Sequence, residues 1–128
     1  MNITPKRFEQ LVDQIAAEVL AELPPALRAD AEQVLVDIED WAAPDKLAQL
    51  GVPPGHWLFG LYEGVPMVQR RSNSVIMQPD RITLYRGPIQ NSSRTEAEIR
   101  RHIRRTFIHE LGHFFGFDEH ELAARGWG

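Results

Sequence analysis

One stretch of this sequence dictates more about the fold than any other. Ser93 and Glu96 stand three apart in the spacing of a capping box, and Gly116 sits where a helix would stop. The residues between them repeat helically, so a single helix is expected from about Arg94 to about Phe115. At about 1.5 Å per residue that helix runs roughly 30 Å, the breadth of a small domain. On a helical wheel from Ile99, His109, Glu110 and His113 fall within one arc of about 100°. Phe107, Leu111 and Phe114 sit to one side of the arc, and Arg101 and Arg105 are assigned to the solvated half. Gly112 inside a helix costs about 1 kcal/mol relative to alanine, which predicts close packing of another element there.

Around this helix the chain reads as α+β, a single domain over residues 1–128, with a small mixed sheet against two helices. Phe8, Leu11, Val12, Ile15, Val19 and Leu20 recur at three- and four-residue steps. They predict an amphipathic helix from Pro5 to Leu23, capped by Thr4 and ended by Pro24-Pro25. The alternation in VLVDIED predicts a strand, Asp45 caps a short helix through Leu50, and WLFGLYE predicts a second strand. The segment from Met67 to Asp80 is rich in Ser, Asn and Arg and reads as a mobile loop. RITLYRG is a third strand, stopped by Gly87-Pro88, and a short helix closes the chain from Asp118 to Arg125.

Composition removes several classes of function. With 43% hydrophobic residues the chain can bury a core, and a net charge of −4 carries no nucleic-acid signature. There is no cysteine, so thiolate metal sites and cysteine nucleophiles are excluded, and a tightly held transition metal must rest on His, Asp or Glu. Charges at Lys6, Arg7, Glu9, Asp13 and Glu18 break any signal-peptide h-region, and no window is apolar enough to span a membrane. A cytoplasmic location is therefore expected.

His109-Glu110-Leu111-Gly112-His113 is the pattern that carries chemistry. Two histidines four apart on a helix lie one turn above the other, so two ring nitrogens can reach one Zn²⁺ at about 2.0–2.1 Å. Glu110 projects about 100° further round, close enough to act on water beside the metal. A catalytic site needs a third protein ligand, and Gly116 can turn the chain back toward the histidines. Asp118, Glu119 and His120 all follow that turn, and the residues do not decide among them. Position 119 is favoured by its spacing of ten from the first histidine, while Asp118 suits a helix N-cap.

The run HELGHFFGFDE, with RITLYRGPI, GLYEGVP and the closing GWG, resembles the small bacterial zincin-like metallopeptidases, the minimal zincins. The likeness extends from LPPALRA and VLVDIEDW onward. It implies a compact zincin-like domain with His109, His113 and the residue at 119 as metal ligands and Glu110 as general base. The family pattern ends in Asp, whereas position 119 is Glu here with an Asp one place earlier, and no Met-turn can follow because Met77 is the last methionine.

The function expected is thus a zinc metallopeptidase acting on a peptide or protein substrate, with no nucleic-acid or membrane partner. The alternative is a non-catalytic, zinc-stabilised domain that binds a protein. RITLYRG is expected to be the edge strand along which substrate lies, with Tyr85 and Arg86 as candidate oxyanion donors. His102 and the Arg100, Arg101, Arg104 and Arg105 cluster read as solvated surface.

Overall fold

The computed structural model describes residues 1–67 and 79–127. Along the chain it forms α1 (Pro5–Glu22), α2 (Pro25–Ala31), β1 (Leu35–Glu39), α3 (Pro44–Gln49) and β2 (Gly60–Glu63). These are followed by β3 (Arg81–Tyr85), α4 (Arg86–Asn91), α5 (Glu96–Phe115) and α6 (Glu119–Ala124). Residues 68–78 of the expected mobile loop lie outside the described residues.

Helix α1 begins as its sequence predicts. Thr4 Oγ1 accepts the Arg7 N–H at 3.0 Å, Pro5 occupies the first turn, and Phe8, Leu11, Val12, Ile15 and Val19 are buried. Helix α5 contributes the facing stripe of Ile99, Ile103, Phe107, Leu111 and Phe114. Each such buried side chain stabilises by about 1.5–3 kcal/mol, so this seam holds the two helices together. The ion pairs Arg7–Glu96, Glu18–Arg100 and Glu22–Arg104 follow the same order along both helices, which therefore run in the same direction. These pairs are exposed and set alignment more than stability.

The sheet has the order β1-β3-β2, with β1 parallel and β2 antiparallel to β3. It is the small mixed sheet of an α+β fold. Ile82 and Leu84 enter the core shared with α1 and α5, while Tyr85 packs on the opposite side against Ala42 and Leu47. From Ile82 to Tyr85 every residue is buried, the mark of a strand covered on both faces. The expectation that RITLYRG forms the edge is therefore corrected: β3 is central, and among the described residues β2 is the edge strand next to α5. Gly60 allows that approach, since a Cβ there would stand 2.5 Å from Thr106 Cγ2 and 3.0 Å from the Thr83 carbonyl oxygen.

Two helices exceed the sequence expectation. Pro25 opens α2 rather than only ending α1, and α4 forms through Gly87-Pro88. Proline is tolerated in a first turn, where its missing N–H would have no partner. The cap of α5 also differs. Thr95 accepts the Glu98 N–H at 3.1 Å, two residues beyond the expected cap Ser93. Ser93 Oγ is committed elsewhere, 2.7 Å from the Ile89 carbonyl at the end of α4. Among the described residues no helix is long and apolar enough to cross a membrane.

Candidate metal centre

Helix α5 places the two histidines one turn apart, with ring centroids 4.8 Å apart and the two Nε2 atoms separated by 3.1 Å. His109 Nδ1 lies 3.3 Å from the Trp127 carbonyl oxygen. A carbonyl can only accept, so Nδ1 carries the proton and Nε2 presents its lone pair.

Trp127 reaches this position because the chain reverses after α5. Gly116, with φ 86°, ends the helix in the left-handed region that glycine tolerates. Asp118 then caps α6: its Oδ1 accepts the Glu121 N–H at 2.7 Å, and the Glu121 side chain returns the bond to the Asp118 N–H. Leu122 of α6 is fully buried against Gly112, where an added Cβ would collide with Leu122 Cδ2. This is the close packing that a glycine inside the helix predicted. From Leu122 the carbonyl accepts the Trp127 N–H at 2.8 Å, which fixes the residue that orients His109.

Of the three acidic or basic residues after Gly116, Asp118 is occupied as the cap, whereas Glu119 turns toward the histidines. Glu119 Oε1 lies 3.8 Å from His109 Nε2 and 3.7 Å from His113 Nε2. With the 3.1 Å between the nitrogens, the nearest point equidistant from all three atoms lies in their plane, about 2.1 Å from each, and a small approach of the exposed Glu119 carboxylate would close the set around an ion. That distance is the bond length zinc makes with imidazole nitrogen and carboxylate oxygen, so these donors fit the ion the sequence expects.

Glu110 stands beside the two histidines: His109, Glu110 and His113 each offer an atom within 4.8 Å of the others. One oxygen of Glu110 is already engaged, since Oε1 accepts the Tyr62 N–H of β2 at 2.8 Å. Burial pushes the Glu110 carboxyl above its ordinary range, against the opposite pull of His113, the Tyr62 N–H and His109.

The Tyr62 bond shows which backbone groups of β2 turn away from β3. Phe59 and Tyr85 are hydrogen-bonded, with the Tyr85 N–H 2.8 Å from the Phe59 carbonyl. Gly60 faces Leu84 and Tyr62 faces Ile82 at the alternate positions, so their N–H and C=O groups point away from β3. A groove of about 460 Å³ runs beneath that edge, between Leu58, Phe59 and Gly60 on one side and His102, Arg105, Thr106, His109 and Glu110 of α5 on the other.

Several expectations change here. Arg105 lines the groove one turn before His109 instead of facing away; a four-residue step on a helix turns through about 400°, leaving the two only about 40° apart. Arg100 and Arg104 are held by α1, so the basic cluster is split between two faces. His102 is half-buried, with Nδ1 2.9 Å from Ser93 Oγ and its ring edge-on to Phe59. Tyr85 is buried on the far side of the sheet and Arg86 is paired with Asp40 at 2.8 Å, so neither borders the groove as an oxyanion donor. The Tyr62 N–H and the Trp127 carbonyl were not foreseen, because backbone groups carry no residue-type signal.

Compared with family models, residues 31–127 match the zincin-like metallopeptidases. Comparison with curated proteins gives no match. On the family match, the chain belongs to the zincin-like metallopeptidase family.

Proposed function

We propose that this protein is a zinc-dependent peptidase in which His109, His113 and Glu119 hold the metal and Glu110 is the general base. The convergence of two Nε2 atoms and Glu119 Oε1 on one point about 2.1 Å from each is the observation that carries this reading. When bound, zinc supplies Lewis-acid polarisation of a carbonyl and makes water a stronger acid near neutral pH.

The residues of the chain supply the rest. His109 is held in the correct tautomer by the Trp127 carbonyl, so its lone pair is ready for the ion. Glu110 accepts a proton from the attacking water and delivers it to the departing amine. A carboxyl raised by burial is suited to both halves of that transfer. An extended peptide binds along β2, using the Gly60 N–H and C=O as strand partners.

The test is metal content together with cleavage of a mixed pool of quenched fluorescent decapeptides. Wild-type protein is expected to hold one equivalent of zinc and to cleave. Glu110→Gln is expected to retain the zinc and lose cleavage by about 10²–10⁴-fold, the usual contribution of a general base. Cleavage by Glu110→Gln at the wild-type rate would defeat the mechanism. Chelation separates this reading from a non-catalytic zinc domain. The core of α1, α5 and β3 closes without the metal, so chelation is expected to stop cleavage and leave the helical signal intact.

A further inference from the structure

We infer that the groove selects a peptide bearing a carboxylate just C-terminal to the cleaved bond, and that Arg105 is the residue that reads it. This rests on the peptidase reading above and adds its substrate class. Arg104, the residue before Arg105, and Arg100, one turn earlier, pair with Glu22 and Glu18 of α1. Arg105 lines the groove instead, and among the described residues no acidic side chain pairs with it. The remaining groove walls away from the metal, Leu58, Phe59, Gly60 and Thr106, carry no charge. An exposed guanidinium whose neighbouring walls, away from Glu110, are uncharged is complementary to a planar anion that it can grip through two N–H groups.

Position and polarity follow from β2. The groove runs past Leu58, Phe59 and Gly60, the N-terminal approach to that strand. A peptide added antiparallel to the edge has its C-terminal side there. Arg105 lies one helical turn from His109, about 6 Å along the axis, and an extended peptide advances about 3.4 Å per residue. The carboxylate therefore belongs to the first or second residue after the cleaved bond. It is either an Asp or Glu side chain or the α-carboxylate of a peptide that ends there. His102 stays in place as a wall. The Ser93 hydroxyl proton goes to the Ile89 carbonyl, so His102 Nδ1 donates to Ser93 Oγ and the ring is held against Phe59.

The test uses zinc-loaded protein and four zinc-anchored probes, isobutyl-succinyl hydroxamates ending in Glu-amide, Gln-amide, Gly with a free carboxylate, or Gly-amide. Dissociation constants are measured calorimetrically and zinc stoichiometry is determined separately for each variant. Wild type is expected to prefer at least one carboxylate probe over its neutral counterpart by tenfold or more. The Glu/Gln pair reports a side chain and the Gly pair a chain end. Arg105→Ala is expected to abolish the preference while binding the neutral probes within twofold of wild type; Arg105→Lys keeps part of it. Equal binding of charged and neutral probes by wild type, or a preference that survives Arg105→Ala, would overturn the inference alone. Failure to take up zinc would overturn the peptidase reading, and this inference with it.

Discussion

Gly112→Ala sets two effects of opposite sign against each other. Inside an exposed helix the replacement would stabilise by about 1 kcal/mol through helix propensity. Here the new methyl meets Leu122 Cδ2, and Leu122 is fully buried, so it has little room to turn away. Overpacking of this kind costs about 1–3 kcal/mol, which outweighs the propensity gain and leaves a net loss of about 0–2 kcal/mol. The more telling consequence lies at the metal. Displacing α6 moves Glu119 at its first turn and the Trp127 carbonyl just beyond its end, so both the third donor and the group orienting His109 shift together. Disturbing such supporting contacts typically weakens metal affinity by about 10–100-fold. Urea denaturation of metal-free protein gives the first quantity, and zinc titration against a competing chelator gives the second. Trimming the partner in Gly112→Ala/Leu122→Val is expected to restore part of the affinity. A single variant that gains about 1 kcal/mol and binds zinc as tightly as wild type would refute the reasoning, because propensity alone would then decide the outcome.

The adjacent acids on α6 are expected to separate cleanly: Glu119→Ala weakens zinc binding tenfold or more with little change in stability, since that side chain is 75% exposed. Asp118→Ala instead loses the helix cap and about 1 kcal/mol of stability, with a smaller effect on the metal, as denaturation and zinc titration on the two variants would show. Tyr85 sets an alkaline limit. Burial, with Glu39 and Glu63 nearby, pushes its hydroxyl from 10.0 up to about 12, so its contribution is complete below pH 10 and is lost as pH rises toward 12. Because its buried hydroxyl has no partner among the described residues, Tyr85→Phe is expected to be at least as stable at pH 7 and to flatten the decline between pH 10 and 12 in thermal melts.

The parts of this molecule that could be read in its sequence are those determined within a few residues. The stripe of Phe8, Leu11, Val12, Ile15 and Val19, the Thr4 cap, the Gly116 stop and the one-turn spacing of His109 and His113 all depend on local periodicity. The cap of α5 was misplaced because Ser93–Glu96 and Thr95–Glu98 offer the same spacing, and only the demand of Ile89 for a hydrogen bond removes Ser93 from contention. Strand order was not legible at all. The parallel pairing of β1 with β3 brings Leu35 to Arg81, a contact across the chain that no local pattern encodes. The alternation of Ile82 and Leu84 with Thr83 and Tyr85 reads as a strand with one open face, although all four residues are buried. The third donor shows the same division. Sequence reached the turn after Gly116 but left Asp118, Glu119 and His120 open, and the hydrogen bond from the Glu121 N–H to Asp118 Oδ1 is what sets Asp118 aside.

The most direct test is anomalous diffraction at the zinc edge from crystals of zinc-loaded protein. The account predicts a single strong peak about 2.0–2.1 Å from Nε2 of His109, Nε2 of His113 and an oxygen of Glu119, with Glu110 outside the coordination sphere. A peak ligated by Glu110 in place of Glu119, or rings that turn their nitrogens apart with no ion between them, would contradict it.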